Sequence, residues 1–270
     1  MNKVNLFDVN KKIVLITGAS GQLGIEYQTA FLENGARVIG IDISKSDGIS
    51  KLEKNYEKDY FFISCDITSK DSLFSCLTEI KGSFGIPNVL INNAAIDSPP
   101  GSPMEETGPF ENYPEESWDK VLDVNLKGTF LACQVFGAEM AKNNKGSIIN
   151  ISSIYGLVSP DQSIYDFRRQ KGEDFFKPVA YSASKSGILN LTRYLASYWT
   201  KNNIRVNSLT IAGVFNNQED EFLDAYCKRI PIGRMANPEE YNGAVIFLAS
   251  DASSYMTGSN LILDGGWTAI

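Results

Sequence analysis

Tyr181 and Lys185 stand four residues apart in the run Tyr181-Ser182-Ala183-Ser184-Lys185. Positions i and i+4 share one face of a helix, so a phenol and an ammonium there converge on one site. The chain contains no histidine. Proton transfer near neutral pH therefore has to use another group with a displaced pKa. A free phenol titrates near ~10, and bringing it to ~7 requires about 4 kcal/mol. One ammonium at ~4 Å, in an effective dielectric of ~20, supplies about that amount. The pair alone is weak evidence. With 12 tyrosines in 270 residues, roughly one such pair arises by chance. What precedes it in the chain gives it meaning.

Ile13-Val14-Leu15-Ile16 runs into Thr17-Gly18-Ala19-Ser20-Gly21-Gln22-Leu23-Gly24. A strand, a Gly-rich turn and a helix start in that order form a pyrophosphate cradle. The glycines allow close backbone approach, and the helix N-terminus favours negative charge. Asp42, followed by Ile43, closes the next strand 24 residues after Gly18. A carboxylate there accepts hydrogen bonds from the adenosine ribose and repels a 2′-phosphate, which favours NAD over NADP. The bland alternative for Asp42 is a turn cap, and Lys45 nearby softens the discrimination. Asp66, with Ile67, ends a third strand. It serves either the adenine amino group or the N-cap of the helix that follows. Asn92-Asn93-Ala94-Ala95 ends a fourth, where small and amide residues let the chain pass beneath a cofactor; strand-end turn chemistry is the alternative.

The elements that must position these groups follow from periodicity. Ile13–Ile16, Arg37–Ile41, Tyr60–Ser64, Val89–Ile91, Ser147–Ile151, Ile204–Leu209 and Asn260–Leu263 read as short buried strands. Helical patterns occupy Gly21–Asn34, Lys70–Lys81, Glu116–Lys142, Val179–Lys201 and Pro238–Leu248. Such alternation implies an α/β fold: a doubly wound parallel sheet in three α/β/α layers. No linker or repeat divides the chain, so residues 1–270 read as one dinucleotide-binding and catalytic domain. Irregular insertions fall near 97–114, 155–178 and 212–237, each after a strand end, where open α/β sheets bind ligands.

Composition bounds the partners. A net charge of −7 without a basic run argues against nucleic acid and against an anionic membrane surface. Four scattered cysteines and no histidine leave no metal-ligand pattern and fit a reducing compartment. The polar first residues and the lack of a long apolar run predict a cytoplasmic protein acting on a small molecule.

Read together, the motifs resemble the short-chain dehydrogenase/reductase family in its single-domain branch. They run in order: Thr17-Gly18 to Gly24, Asp42, Asp66, Asn92-Asn93-Ala94, Asn125, Ser153, Tyr181, Lys185 and Leu263-Asp264-Gly265-Gly266. The resemblance implies hydride exchange between nicotinamide and a carbonyl or alcohol carbon. Tyr181 would be the acid or base, and Lys185 would lower its pKa and hold the nicotinamide ribose. Ser153 would orient the substrate oxygen. Asn125 would hold a water linking Lys185 to solvent. It also implies cofactor contacts from Val214 and Asn216, and a homo-oligomer, tetramer or dimer.

Several features depart from that pattern. Gln22 replaces a glycine, and Gly18, Gly21 and Gly24 also fit the spacing of sugar epimerases and dehydratases, which retain NAD. Only 85 residues follow Lys185, too few for the separate substrate domain of that branch. A non-catalytic dinucleotide sensor is a third reading, opposed by the retention of both Tyr181 and Lys185. Ser153 and Tyr181 lie 28 residues apart, about twice the usual family separation. The surplus, about Ser159 to Lys177, carries Tyr165, Phe167, Arg168, Arg169, Phe175 and Phe176, aromatics and arginines that could clamp a sugar ring and an anionic group; Tyr155, just before it, is a further substrate candidate. Packing on a neighbouring subunit is the alternative. The insertion, the 215–218 segment and the Gly266-Trp267 end are similar to bacterial members linked to surface-sugar or flagellin modification, which points to a sugar-related substrate.

Overall fold

The computed structural model describes residues 5–97 and 104–270. All seven expected strands form: β1 (Ile13–Thr17), β2 (Arg37–Asp42), β3 (Tyr60–Ser64), β4 (Val89–Asn92), β5 (Gly146–Ser153), β6 (Ile204–Ile211) and β7 (Asn260–Leu263). They make one sheet in the order β3-β2-β1-β4-β5-β6-β7, with every pairing parallel. The order reverses direction between β1 and β4, the place where such sheets bind ligands.

Side-chain alternation along β1 assigns the two faces. Leu15 enters one core with Leu73, Phe136 and Trp199, while Val14 and Ile16 enter the other with Tyr27, Phe31 and Leu248. Both faces are covered, which is why the strands read as nearly continuous apolar runs. Helix Lys70–Ser83, a continuous helical stretch over 115–142 and helix Val179–Tyr198 cover the first face. Helices Gln22–Glu33 and Asn242–Ala249 cover the second.

A polar chain crosses the first core. Asn92 Nδ2 donates to Asn150 Oδ1 at 2.8 Å, and Asn150 Nδ2 donates to Thr192 Oγ1 at 2.9 Å. All three residues are buried. The chain ties β4 to β5 and β5 to the helix that carries Tyr181.

Among the described residues, two helices of eight residues or more were not anticipated. Asp47–Asn55 buries only Ile49 and Leu52, too thin a stripe to stand out by periodicity. Asp220–Cys227 lies within the 212–237 segment. The 115–142 stretch contains π-helical turns at Asp123–Gly128 and Cys133–Gly137. The expected helix Val179–Lys201 stops at Tyr198, and the chain leaves through Asn203 in the left-handed region (φ 53°).

The three irregular segments follow β4, β5 and β6, which are neighbours in the sheet, so they gather at one edge. Residues 98–103 of the first lie outside the described residues. The second and third pack on each other and on Trp267, in a satellite core with Ile154, Tyr165, Phe175, Tyr226 and Met235.

Candidate active site

The Gly-rich turn is built around positions that exclude a side chain. Gly18 has φ +65°, and a Cβ there would sit 2.6 Å from Ala94 Cα; at Gly24 it would sit 2.2 Å from Gly18 O. Thr17 stitches the turn to the end of β4, its hydroxyl accepting from Asn93 N (3.1 Å) and Ala94 N (3.0 Å). Asn93 Nδ2 donates back to Gly18 O at 3.1 Å. Helix Gln22–Glu33 begins with no side-chain cap and no acidic residue in its first turn. Its leading N–H groups and positive dipole end are the donor set that a pyrophosphate requires.

Asp42 and Ile43 form the adenosine side. The Asp42 carboxylate accepts from Ser20 N (3.0 Å) and Ile43 N (2.7 Å), fixing the turn against β2. Ile43 is 71 % exposed, an apolar surface at the height of the turn. Lys45 is held by Glu53, which draws its charge away from Asp42. Asp66 accepts from Thr68 N and Thr68 Oγ1. The following helix is capped by Ser69 instead, so the N-cap alternative for Asp66 does not hold. Ile67 is buried under Gly128, and Ala95 is exposed beyond the end of β4. These residues fit a dinucleotide.

Tyr181 and Ser153 line one cavity of about 340 Å³, together with Leu23, Val214, Gln218 and Met235. Ser153 ends β5 and its hydroxyl accepts from Tyr155 N at 3.2 Å. Lys185 is 3 % exposed. Its Nζ donates to Ile151 O at 2.9 Å and lies 5.7 Å from the Tyr181 ring centroid. Burial pushes the Lys185 amine from 10.5 down to about 8, against the pull of Asp97. Burial also raises the Tyr181 phenol. The negative charge of Asp97 adds to that, and the Ser153 hydroxyl opposes it. In the chain alone the phenol therefore stands above its ordinary value, with desolvation the largest cause.

Asn125 lies in the first π-helical turn and is fully buried. Its Nδ2 donates to Ile96 O (2.9 Å) and Ser184 Oγ (3.0 Å), and its Oδ1 accepts from Ile96 N (2.8 Å). The side chain is thus committed to tying the β4 exit to the Tyr181 helix. Any relay to Lys185 has to use the main chain of Asn125. Asn216 is exposed. Gln218, bonded to Val214 O at 2.8 Å, lines the cavity.

Arg168 and Arg169 are not brought to the cavity. Arg168 pairs with Glu173 at 2.7 Å and lies 4.5 Å over the Phe175 ring. Arg169 donates to Phe175 O at 2.6 Å and pairs with Asp166. Both hold the insertion together. In their place, sequence reading missed Lys177 and Asp97, which pair with each other on the cavity wall. A signal existed: Lys177 precedes Tyr181 by four residues, as Tyr181 precedes Lys185. A larger cavity of about 700 Å³ shares Tyr155 and Lys177 in its lining and is otherwise lined by Phe110, Leu157, Val158 and Phe176 among others. Tyr181 and Ser153 line the smaller cavity and are absent from the lining of the larger one.

A parallel sheet with this turn at its reversal point, and a tyrosine, serine and lysine over the neighbouring strand ends, defines an oxidoreductase that uses a nicotinamide dinucleotide. Residues 18–268 match the family model described as enoyl-(acyl carrier protein) reductase, and the chain belongs to the short-chain dehydrogenase/reductase family. It is 32 % identical over 267 residues to an NAD-dependent glycerol dehydrogenase of Listeria innocua serovar 6a, covering 97 % of this chain and 96 % of that one. It is 30 % identical to a D-threitol dehydrogenase of Mycolicibacterium smegmatis, over 97 % and 95 %. Its structure superposes with a TM-score of 0.86 on a short-chain dehydrogenase of Leptospira borgpetersenii with bound NAD+, at 35 % identity over 99 % and 97 % of the two chains.

Proposed function

We propose that the whole chain acts as one NAD(H)-dependent dehydrogenase domain, oxidising a hydroxyl group of a small polyol or sugar derivative to a ketone, or the reverse. The observation that carries this reading is the shared cavity of Tyr181 and Ser153 beside the Gly-rich turn. The relatives named for glycerol and threitol point to the substrate class. NAD rather than NADP is favoured by the Asp42 carboxylate at the end of β2 and by the pairing of Lys45 with Glu53.

Thr17, Gly18, Ser20, Gly21, Gln22, Leu23 and Gly24 would hold the pyrophosphate end, and Asp42, Ile43, Asp66 and Ile67 the adenosine. Asn93, Ala94, Ala95, Val214 and Asn216 would line the path to the nicotinamide. When bound, that group supplies the hydride acceptor for oxidation and the donor for reduction. The chain does the rest. Ser153 orients the substrate oxygen. Tyr181, held protonated by burial, gives its proton to a carbonyl oxygen in reduction and has to lose it first in oxidation. Lys185 keeps a positive charge under the phenol below about pH 8. Oxidation is accordingly favoured at alkaline pH and reduction near neutrality. A homo-oligomer is part of the proposal, with Phe130, Tyr194 and Tyr198 exposed on the 115–142 and Val179–Tyr198 helices.

Tyr181→Phe tests the reading. Turnover should fall at least a hundredfold, while NADH affinity by fluorescence titration stays within about threefold. Full activity in that variant removes the claim. Asp42→Ala should erode the preference for NAD in initial-rate comparisons with NADP. A wild type that already prefers NADP refutes the cofactor assignment.

A further inference from the structure

Lys177 and Asp97 are the charged residues lining the smaller cavity among the described residues. The Lys177 side chain is 9 % exposed and its ammonium pairs with the Asp97 carboxylate. It also lies 5.2 Å from the Tyr181 ring centroid and 6.0 Å from that of Tyr155. One carboxylate and two ring faces therefore pin the cation beside the reacting tyrosine. Tyr155 is 7 % exposed and lines the same cavity, its hydroxyl beside that of Tyr165.

We propose that Lys177, Asp97 and the Tyr155 hydroxyl form a substrate-selecting subsite that reads the hydroxyl groups flanking the reacting carbon of a small neutral polyol. The inference rests on the dehydrogenase reading above and names its substrate class. An ammonium has three donors, so its contact with Asp97 leaves donors for a substrate oxygen, and a carboxylate has about four acceptor positions, more than one partner fills. A hydroxyl group both donates and accepts. Neighbouring hydroxyls on one carbon chain can accept from Lys177 and donate to Asp97 without separating the pair.

Charge sets the class. The pair is neutral as a unit. A carboxylate or phosphate approaching Lys177 has to approach Asp97 as well, and like charges at close range discriminate against it. A polyol meets no such opposition. A monohydric alcohol leaves the pair and Tyr155 unread, and sites built to hydrogen-bond a hydroxyl reject analogues that lack it. Size acts in the same direction. Tyr155 and Lys177 line the smaller cavity together with Tyr181 and Ser153, and that cavity also has to receive the nicotinamide. About 340 Å³ is at the small end of ligand pockets, which span ~300–1,000 Å³.

The test measures kcat/KM of the full-length protein with NAD for glycerol, threitol, gluconate and 2-butanol. It compares wild type with Lys177→Met, with the double variant Lys177→Met/Asp97→Asn, and with Tyr155→Phe. The double variant removes both charges together, so no carboxylate is left unpaired if the single variant folds poorly. Wild type should prefer the neutral polyols to gluconate and to 2-butanol. In the variants the polyol to 2-butanol ratio should fall about tenfold to a hundredfold, the loss expected for charge-assisted hydrogen bonds. A ratio that does not move, or a wild type that prefers gluconate, overturns the subsite. A wild type inactive on every alcohol, and on the matching ketones with NADH, overturns the dehydrogenase reading itself.

Discussion

Replacing Lys185 with methionine should make the protein more stable and inactive at the same time. The amine is buried, with Ile151 O as its hydrogen-bond partner. Burial, opposed by the charge of Asp97, takes it from 10.5 in the open chain to about 8 in the folded one. That displacement corresponds to roughly 3 kcal/mol spent keeping the charged form inside. Methionine matches the stem and carries no charge, but it loses the bond to Ile151 O, which returns about 1 kcal/mol. The net gain at neutral pH is therefore roughly 2 kcal/mol. For a chain of this size that raises Tm by about 4–8 °C. The sign of the pH dependence follows from proton counting. Below about pH 8 both states hold the proton and the full penalty is present. Between about 8 and 10.5 the unfolded chain binds a proton that the folded chain has released, so wild-type stability rises with pH in that window. Thermal and urea denaturation of both proteins from pH 7 to 10 reads this directly. The stability difference should shrink as pH rises, because the other titrating groups are common to both proteins. A variant less stable than wild type at pH 7, or a difference independent of pH, would refute the reasoning.

Two further outcomes follow. Gly18→Ala combines a left-handed φ of +65° with a Cβ 2.6 Å from Ala94 Cα; it should cost about 1–2 kcal/mol in urea unfolding and abolish NADH binding by fluorescence titration. Binding retained at wild-type affinity would show that the turn does not need its glycine. Arg169→Ala, which removes bonds to Phe175 O and Asp166, should lower stability by about 1–3 kcal/mol with polyol KM changed less than twofold. A large rise in KM without a stability loss would return Arg169 to the substrate site.

The sheet was legible because both of its faces are buried. Seven short apolar runs, several of them rich in Val and Ile, found their strands, and only their ends shifted, as where β5 continues to Ser153. The glycine turn and Asp42 were legible because a tight approach restricts which residues fit. The insertion was not. Its arginines looked like a ligand clamp because composition reports residue type and not the direction a side chain takes. Arg168 and Arg169 turn toward the carbonyls and carboxylates of their own loop. Lys177, by contrast, sits just before Pro178, the N-cap of the Tyr181 helix. The four-residue rule was applied only inside that helix and did not extend to it. Asp97 reaches Lys177 across 80 residues of sequence, a pairing that local periodicity does not encode.

The amide chain from Asn92 through Asn150 to Thr192 works as an indexing pin for the chemistry. Apolar side chains in a core can slide or rotate by a few degrees at little cost, whereas a donor and acceptor 2.8–2.9 Å apart tolerate only one angular setting. Thr192 lies seven residues beyond Lys185, two helical turns along nearly the same face. Fixing its hydroxyl to β5 therefore fixes the azimuth of the whole helix, and with it the aim of Lys185 and Tyr181. Aliphatic exchanges around Leu90 or Ile148 should then be forgiven by the active site, while changes to the three polar residues should misdirect it even where the fold survives.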